Sequence, residues 1–254
     1  MIVKNFHYNK TVELIFDSFK HQYKEGAEVI TSVTQALSII NKPALISWAA
    51  NMAIEYASSS IEPGVAYDEI QLSTIWDASK KAHWQKKTEA GTIGTFVHKW
   101  IEQYIKGENP GVPVNEGLKD SVDKFLTWVQ KHRVVFLSAE QPVYSKKYKY
   151  TGTLDFICKI DGKLYVGDLK TSSGIYPEYF IQTAAYRQAR SEEFPEEKYA
   201  GQLILRIGKD GSFEFAKVSD YQSYKLMLVG FIAALKLFEI LRDLKDFEAE
   251  KEKL

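Results

Sequence analysis

Between Asn115 and His132 the apolar residues fall at Leu118, Val122, Phe125, Leu126 and Val129, the three-and-four spacing of one buried helix face. A second such stripe, Leu228, Phe231, Ile232, Leu235, Phe238 and Leu241, runs through the stretch from about Ser219 to Leu244, which closes in a charged tail. Helix is also predicted from Thr31 to Ala57, opening at Thr31 and Ser32 and interrupted at Lys42-Pro43. Those hydroxyls can cap a helix, and a residue before proline leaves the α region. Asp68 to Gly107 reads as two further helices split near Gly91–Gly94, and Pro177 to Ala189 as another, with proline tolerated in its first turn.

At Arg133 the period changes. VVFLSA, LDFICKI and KLYVGDL are short β-rich runs bounded by turn residues; AGQLILRI and SFEFAKV follow later, joined by Gly208-Lys209-Asp210-Gly211. An α-rich first half followed by ββ(β)αββα predicts an α/β fold, a mixed central sheet flanked by helices with an N-terminal helical extension. We expect residues 1–90 to form an N-terminal helical region packed on a core of residues 91–254, the whole making one compact unit.

Composition narrows the class. The 254 residues allow one large domain or two small ones, and 45% hydrophobic with 26% charged residues is ordinary globular usage. The 33 basic residues balance 33 acidic ones, so any attraction to nucleic acid must come from local patches. Cys158 is the only cysteine, which excludes an intrachain disulfide and any four-cysteine zinc or iron–sulfur site. The longest apolar run, Leu226 to Leu235, spans ten residues, short of the roughly 20 a membrane helix needs. MIVKNFHYNK at the start has no secretory pattern. A soluble, cytoplasmic chain with no membrane partner is the expectation.

The chemistry concentrates in TGTLDFICKIDGKLYVGDLKTS, residues 151–172. Asp161-Gly162 between two apolar runs signals a two-residue hairpin, whose turn needs positive φ at both central positions. That turn seats Asp155 directly opposite Asp168, with Cβ atoms about 4.5–5.5 Å apart. Leu154, Phe156, Ile157, Leu164, Tyr165, Val166 and Leu169 make these strands apolar on both faces, hence central and buried. Two carboxylates there need a shared proton or a cation. Lys170 points to the same face as Asp168. An acid pair with a lysine at a sheet end suits hard-metal chemistry on a phosphodiester. The carboxylates would hold Mg²⁺ or Mn²⁺, the ion would acidify a water, and the lysine would position it or stabilise the oxyanion. The plainer alternative is a solvent-facing strand end with Lys170 as salt-bridge partner, and a bulge in the hairpin would break the register altogether.

Five short motifs then fall in order: Gly94-Thr95-Phe96-Val97-His98, Glu140 in LSAEQPVY, Gly152-Thr153-Leu154-Asp155, Asp168-Leu169-Lys170-Thr171, and Gln182-Thr183-Ala184-Ala185-Tyr186. Each alone is weak; together, in this order, they are specific. On them the chain resembles the RecB-type, phage exonuclease branch of the PD-(D/E)XK nuclease superfamily, with its restriction-endonuclease-like fold. TSVTQALSIINKPALISWAA is similar to the N-terminal region of phage-type members. The resemblance implies that His98, Asp155, Asp168 and the Leu169 carbonyl bind metal and that Glu140 is the first acidic motif residue beside it. It makes Lys170 the catalytic lysine, and Gln182 and Tyr186 active-site residues that orient Lys170 or touch the DNA backbone. Without it, His98 with Glu102 is a routine i,i+4 pair, and Gln182 with Tyr186 a half-buried helix face.

Two basic clusters offset the neutral total. Lys146, Lys147, Tyr148 and Lys149 join the Glu140 and Asp155 strands, a mixture suited to tracking and stacking on single-stranded nucleic acid. Lys80 to Lys87 reads equally as a solvated face, and Arg187 could reach a phosphate. His7, His21, His83 and His132 match no motif and are expected at surface or core; Trp48, Trp100 and Trp128 are assigned to packing. The resulting expectation is a divalent-metal-dependent DNA nuclease, an exonuclease of bacterial or phage recombination, repair or replication, leaving 5′-phosphate ends. Its partners would be single- or double-stranded DNA and a recombinase, helicase or single-strand-binding protein. The alternatives are a structure- or site-specific endonuclease on the same fold, and a non-catalytic DNA-binding subunit. No G-x-x-x-x-G-K-[ST] loop occurs, so no ATP site is expected.

Overall fold

The computed structural model describes residues 1–113 and 115–251, with side chains through residue 245, so the end of the charged tail lies outside the described residues. The chain divides into two compact units, residues 1–39 with 97–254, and residues 40–96.

The first unit is α/β, built on one mixed nine-stranded sheet. Four short antiparallel strands open it: β1 (Ile2–His7), β2 (Val12–Asp17), β3 (Gln22–Glu25) and β4 (Glu28–Ser32). Sequence reading left these unassigned within a helical N-terminal region, and the reason is physical. Tyr8, Asn9, Lys10 and His21 make the first two reversals at positive φ without glycine, and only the third uses one, Gly26, so most of the usual turn signal is missing. Ser32 then caps α1 (Val33–Ala36) in a reciprocal capping box with Gln35.

The rest of the sheet is β5 (Val135–Ser145), β6 (Tyr150–Ile160), β7 (Lys163–Lys170), β8 (Tyr199–Ile207) and β9 (Phe213–Val218). Asp161 and Gly162 take φ of 50° and 74°, the two-residue turn the sequence predicts, and β6 pairs β7 from Ile160↔Lys163 to Phe156↔Gly167. Helix α5 (Pro177–Glu193) crosses from β7 to the parallel β8, and the 208–211 turn leads back to the antiparallel β9. The strand β6 is the hinge of the sheet. Its one edge carries β5 throughout. Its other edge is shared, by β4 at Tyr150 and Thr151 and by β7 from Phe156 onward. Residues 152–155 lie in the fork between them.

Helices α5 and α6 (Tyr221–Lys251) cover one face, where Tyr150, Leu154, Val166, Ala185, Tyr186, Phe231 and Leu235 pack as one core. Elsewhere Phe125 and Trp128 of α4 (Glu116–Lys131) pack among Phe136, Phe213 and Phe215. Asn115 caps α4 as an acceptor from the Leu118 amide.

The second unit holds α2 (Pro43–Ser60) and the larger part of α3 (Glu69–Ile105). Asp68 and Gln71 cap α3 reciprocally. The predicted break at Gly91–Gly94 does not occur. Two glycines cost about 1 kcal/mol each in a helix interior, which leaves a 37-residue helix continuous. No described helix is long and apolar enough to cross a membrane.

Candidate metal centre

Three neighbouring strands line up three carboxylates. On β5 and β6 the pairs Ala139↔Phe156 and Gln141↔Leu154 bracket Glu140 opposite Asp155. On β6 and β7 the ladder ends at Phe156↔Gly167, so the next residues are Asp155 and Asp168, at the mouth of the fork. Glu140 lies mid-strand in β5 rather than at a strand end, and takes φ of 50° there without shifting the register of its neighbours. The open side of β6 at Asp155 is closed by a side chain: the Leu169 amide donates to Asp155 Oδ2 at 2.6 Å.

His98, near the end of α3, brings Nδ1 to 3.8 Å from Asp155 Oδ2. His98, Glu140 and Asp155 each offer one donor atom, and these atoms lie within 4.8 Å of one another. Their Glu102 neighbour instead pairs with Lys106 at 2.5 Å. The Leu169 carbonyl stands beside the His98 ring.

Asp168 is fully buried, beside Asp155, and is held on its other side by Lys170 and Gln182. Its Oδ2 lies 2.6 Å from Lys170 Nζ, with no hydrogen bond of good angle to that oxygen, and its Oδ1 accepts from Gln182 Nε2 at 3.1 Å. Lys170 Nζ also donates to Gln182 Oε1 at 3.2 Å and lies 4.9 Å from the centre of the Tyr179 ring. Gln182 Nε2 donates to the Tyr186 hydroxyl at 2.9 Å. One amide on α5 thus touches the acid, the lysine and the tyrosine. Gly152 makes room for this: a Cβ there would meet the Tyr186 ring at 2.7 Å.

Burial sets the electrostatics. It pushes Asp155 up to about 6, against the pull of Lys170 and the Leu169 amide. It pushes Asp168 up to about 7, again against Lys170, with Asp155 adding to the rise. Glu140 is raised by burial and by Glu102. His98 is lowered by burial despite Asp168 nearby, which keeps its imidazole neutral. Burial would lower Lys170 as well, but Asp168 and Asp155 outweigh it and hold it above its ordinary value. The site has more buried acid than Lys170 can balance. A neutral imidazole and two carboxylates at this spacing fit a metal ion, since ligand atoms around one ion lie a few ångströms apart, and Asp168, whose Oδ2 is poorly satisfied, stands next to Asp155.

Sequence reasoning missed Arg206. It faces Lys170 across β7 and β8, is 4% exposed, and donates Nε to the Ser172 carbonyl at 2.6 Å and Nη1 to Ser212 Oγ and Glu214 Oε1. It ties down the segment between Lys170 and α5. An arginine inside the apolar run LILRI is the signal that could have found it, because a buried charge needs dedicated partners.

The four residues between β5 and β6 stand apart from the acids. Lys149 is held by Glu25 at 2.7 Å, while Lys146 lies over Tyr8 and Lys147 over Tyr148. Arg187 is engaged within the protein: it donates to the Tyr199 carbonyl at 2.8 Å and lies 4.1 Å from the centre of the Tyr224 ring. In the second unit Lys80 pairs with Asp77, Lys86 with Glu89, and Lys87 lies over Trp84. His7 is a core residue bonded to Glu193.

No family model matches the chain, and no curated protein does. Among solved structures, a crystal structure from Eubacterium rectale named as a "putative exonuclease" is similar at 11% identity, covering 59% of this chain and 67% of that one with a TM-score of 0.42. The structure of SSO0001 is similar at 14% identity, covering 48% of this chain and 57% of that one with a TM-score of 0.30. The site is therefore read on its own geometry.

Proposed function

We propose that this chain is a divalent-metal-dependent nuclease of the PD-(D/E)XK type that hydrolyses DNA phosphodiester bonds from an end, in bacterial or phage recombination, repair or replication. The observation that carries this reading is the row Glu140, Asp155, Asp168 across three strands, with His98 beside the middle carboxylate and Lys170 paired to Asp168. His98, Glu140 and Asp155 would hold the ion, with Asp168 next to Asp155. Bound Mg²⁺ or Mn²⁺ would supply Lewis acidity and positive charge to offset the acids.

The chain's own groups do the rest. Lys170, charged and held by Asp168 and Gln182, presents a preorganised ammonium that orients a water or stabilises a developing oxyanion. Gln182 fixes that ammonium and the Asp168 carboxylate together, and its bond to Tyr186 fixes Gln182 in turn. Lys146, Lys147 and Tyr148 would contact the DNA strand; support for this is their basic and aromatic pairing at one turn. A recombinase, helicase or single-strand-binding protein belongs to the same reading as partner.

The test is a time course on end-labelled single- and double-stranded DNA, and on circular DNA, with Mg²⁺, Mn²⁺ or chelator. Metal-dependent loss from ends, abolished in Asp155→Asn, is expected. Cutting of circles would make the enzyme an endonuclease, and binding without cleavage in Mn²⁺ would leave a DNA-binding subunit. Undiminished cleavage in EDTA overturns the metal mechanism.

A further inference from the structure

Helix α6 buries Tyr224, Phe231, Ala234 and Leu235 against the first unit and leaves its outer side bare. There Leu226, Val229, Leu237, Ile240, Leu241 and Leu244 are between 43% and 74% exposed, with Gly230 and Ala233 exposed among them. None of these eight residues is polar. Their exposed area is roughly 600 Å², at the upper end of the largest apolar patch a monomer carries.

The spacing of the patch specifies its occupant. Leu226, Val229 and Ala233 recur eleven residues later as Leu237, Ile240 and Leu244, and an eleven-residue repeat keeps the stripe nearly parallel to the helix axis. A second α6 can therefore lie along its whole length. When two copies are laid antiparallel about a dyad at the level of Leu235, Leu226 falls opposite Leu244 and Val229 opposite Leu241. Gly230 then faces Ile240, and Ala233 faces Leu237. Every one of the eight meets an apolar counterpart, and the two smallest meet large ones, the alternation that lets helix surfaces interlock. Such a face is complementary to itself, which an isologous two-fold contact requires and an unrelated partner would not. Counting both copies, the contact would bury on the order of 1,200 Å², the lower bound for a stable interface.

We propose that the chain forms a homodimer through antiparallel contact of its two α6 helices, on a surface apart from the acidic site.

The test is sedimentation velocity on the full chain over a dilution series, with Leu237→Glu as the variant. Leu237 is half exposed, so the substitution leaves the fold intact by circular dichroism while weakening the dimer by ~30-fold or more, because it buries a charge in an apolar seam. Ala233→Cys and Leu237→Cys, made separately, read the register, since the sole native cysteine, Cys158, is buried. The mixed proteins should oxidise to a covalent dimer faster than either alone. A monomer at every concentration overturns the proposal, as does a dimer indifferent to Leu237→Glu. Faster self-linking of Ala233→Cys than of the mixture overturns the antiparallel register. A monomer that floats with lipid vesicles assigns the face to a membrane surface instead.

Discussion

Lys170 Nζ lies 2.6 Å from Asp168 Oδ2, two residues back along the same strand. Both groups are shielded, Asp168 wholly and Lys170 to all but 18% of its side chain. Removing one partner of such a pair leaves an uncompensated buried charge and costs about 3–5 kcal/mol. Lys170→Ala should therefore lose stability near neutral pH and recover part of it in mild acid, where Asp168 takes up a proton. Urea denaturation at the two pH values measures this. Cleavage in the same variant should fall by ~100-fold or more. Equal destabilisation at both pH values would mean that the lysine does not balance this acid.

The raised carboxyls set a pH dependence with a definite sign. Asp155 and Asp168 titrate at about 6 and about 7 in the folded chain, against an ordinary value of about 4 when unfolded. Across that window the native state holds more protons than the unfolded state, so stability falls as pH rises. Metal binding needs the same carboxyls deprotonated, so stabilisation by cation should grow over the same window. Calorimetry with EDTA should show a melting temperature that drops from about pH 4 to 7. Excess Mg²⁺ or Mn²⁺ should restore it at the alkaline end and hardly change it at the acid end. A cation effect equal at both ends would separate the ion from these acids.

Gly152 is required by space rather than by backbone angle. A methyl there would stand 2.7 Å from the Tyr186 ring and 3.4 Å from Val33, both in the buried core. Overpacking of this kind costs about 1–3 kcal/mol, and Tyr186 can yield only by pulling on Gln182. Gly152→Ala should lower the melting temperature and, by disturbing the Gln182 bonds to Asp168 and Lys170, lower the rate of cleavage more than substrate binding. An unchanged Gly152→Ala protein would show that the ring has room to shift.

The hairpin and the helices after Arg133 were legible because their signals are local. Asp161-Gly162 announces its turn, and the register it dictates holds through Phe156↔Gly167. What lies beyond is tertiary. The fork that parts β7 from β4 at Asp155 depends on Thr31 and Ser32 pairing more than a hundred residues away, and no local pattern carries that. The bond from the Leu169 amide to Asp155 and the three contacts of Gln182 are side-chain placements that spacing along α5 could suggest only as a shared face. Arg206 was hidden by its setting: a strand pattern reports what is apolar, and the partners that justify one buried guanidinium lie on two separate loops and β9.

Glu140 keeps its register while its backbone sits in the left-handed region, a conformation that costs a side-chain-bearing residue about 1–2 kcal/mol. Glycine would relax that position and delete a carboxylate from the row in one stroke. Selection for heat tolerance alone would thus drift toward a sturdier molecule with an emptied centre, and any engineering of this scaffold has to treat position 140 as a place where firmness and chemistry trade against each other.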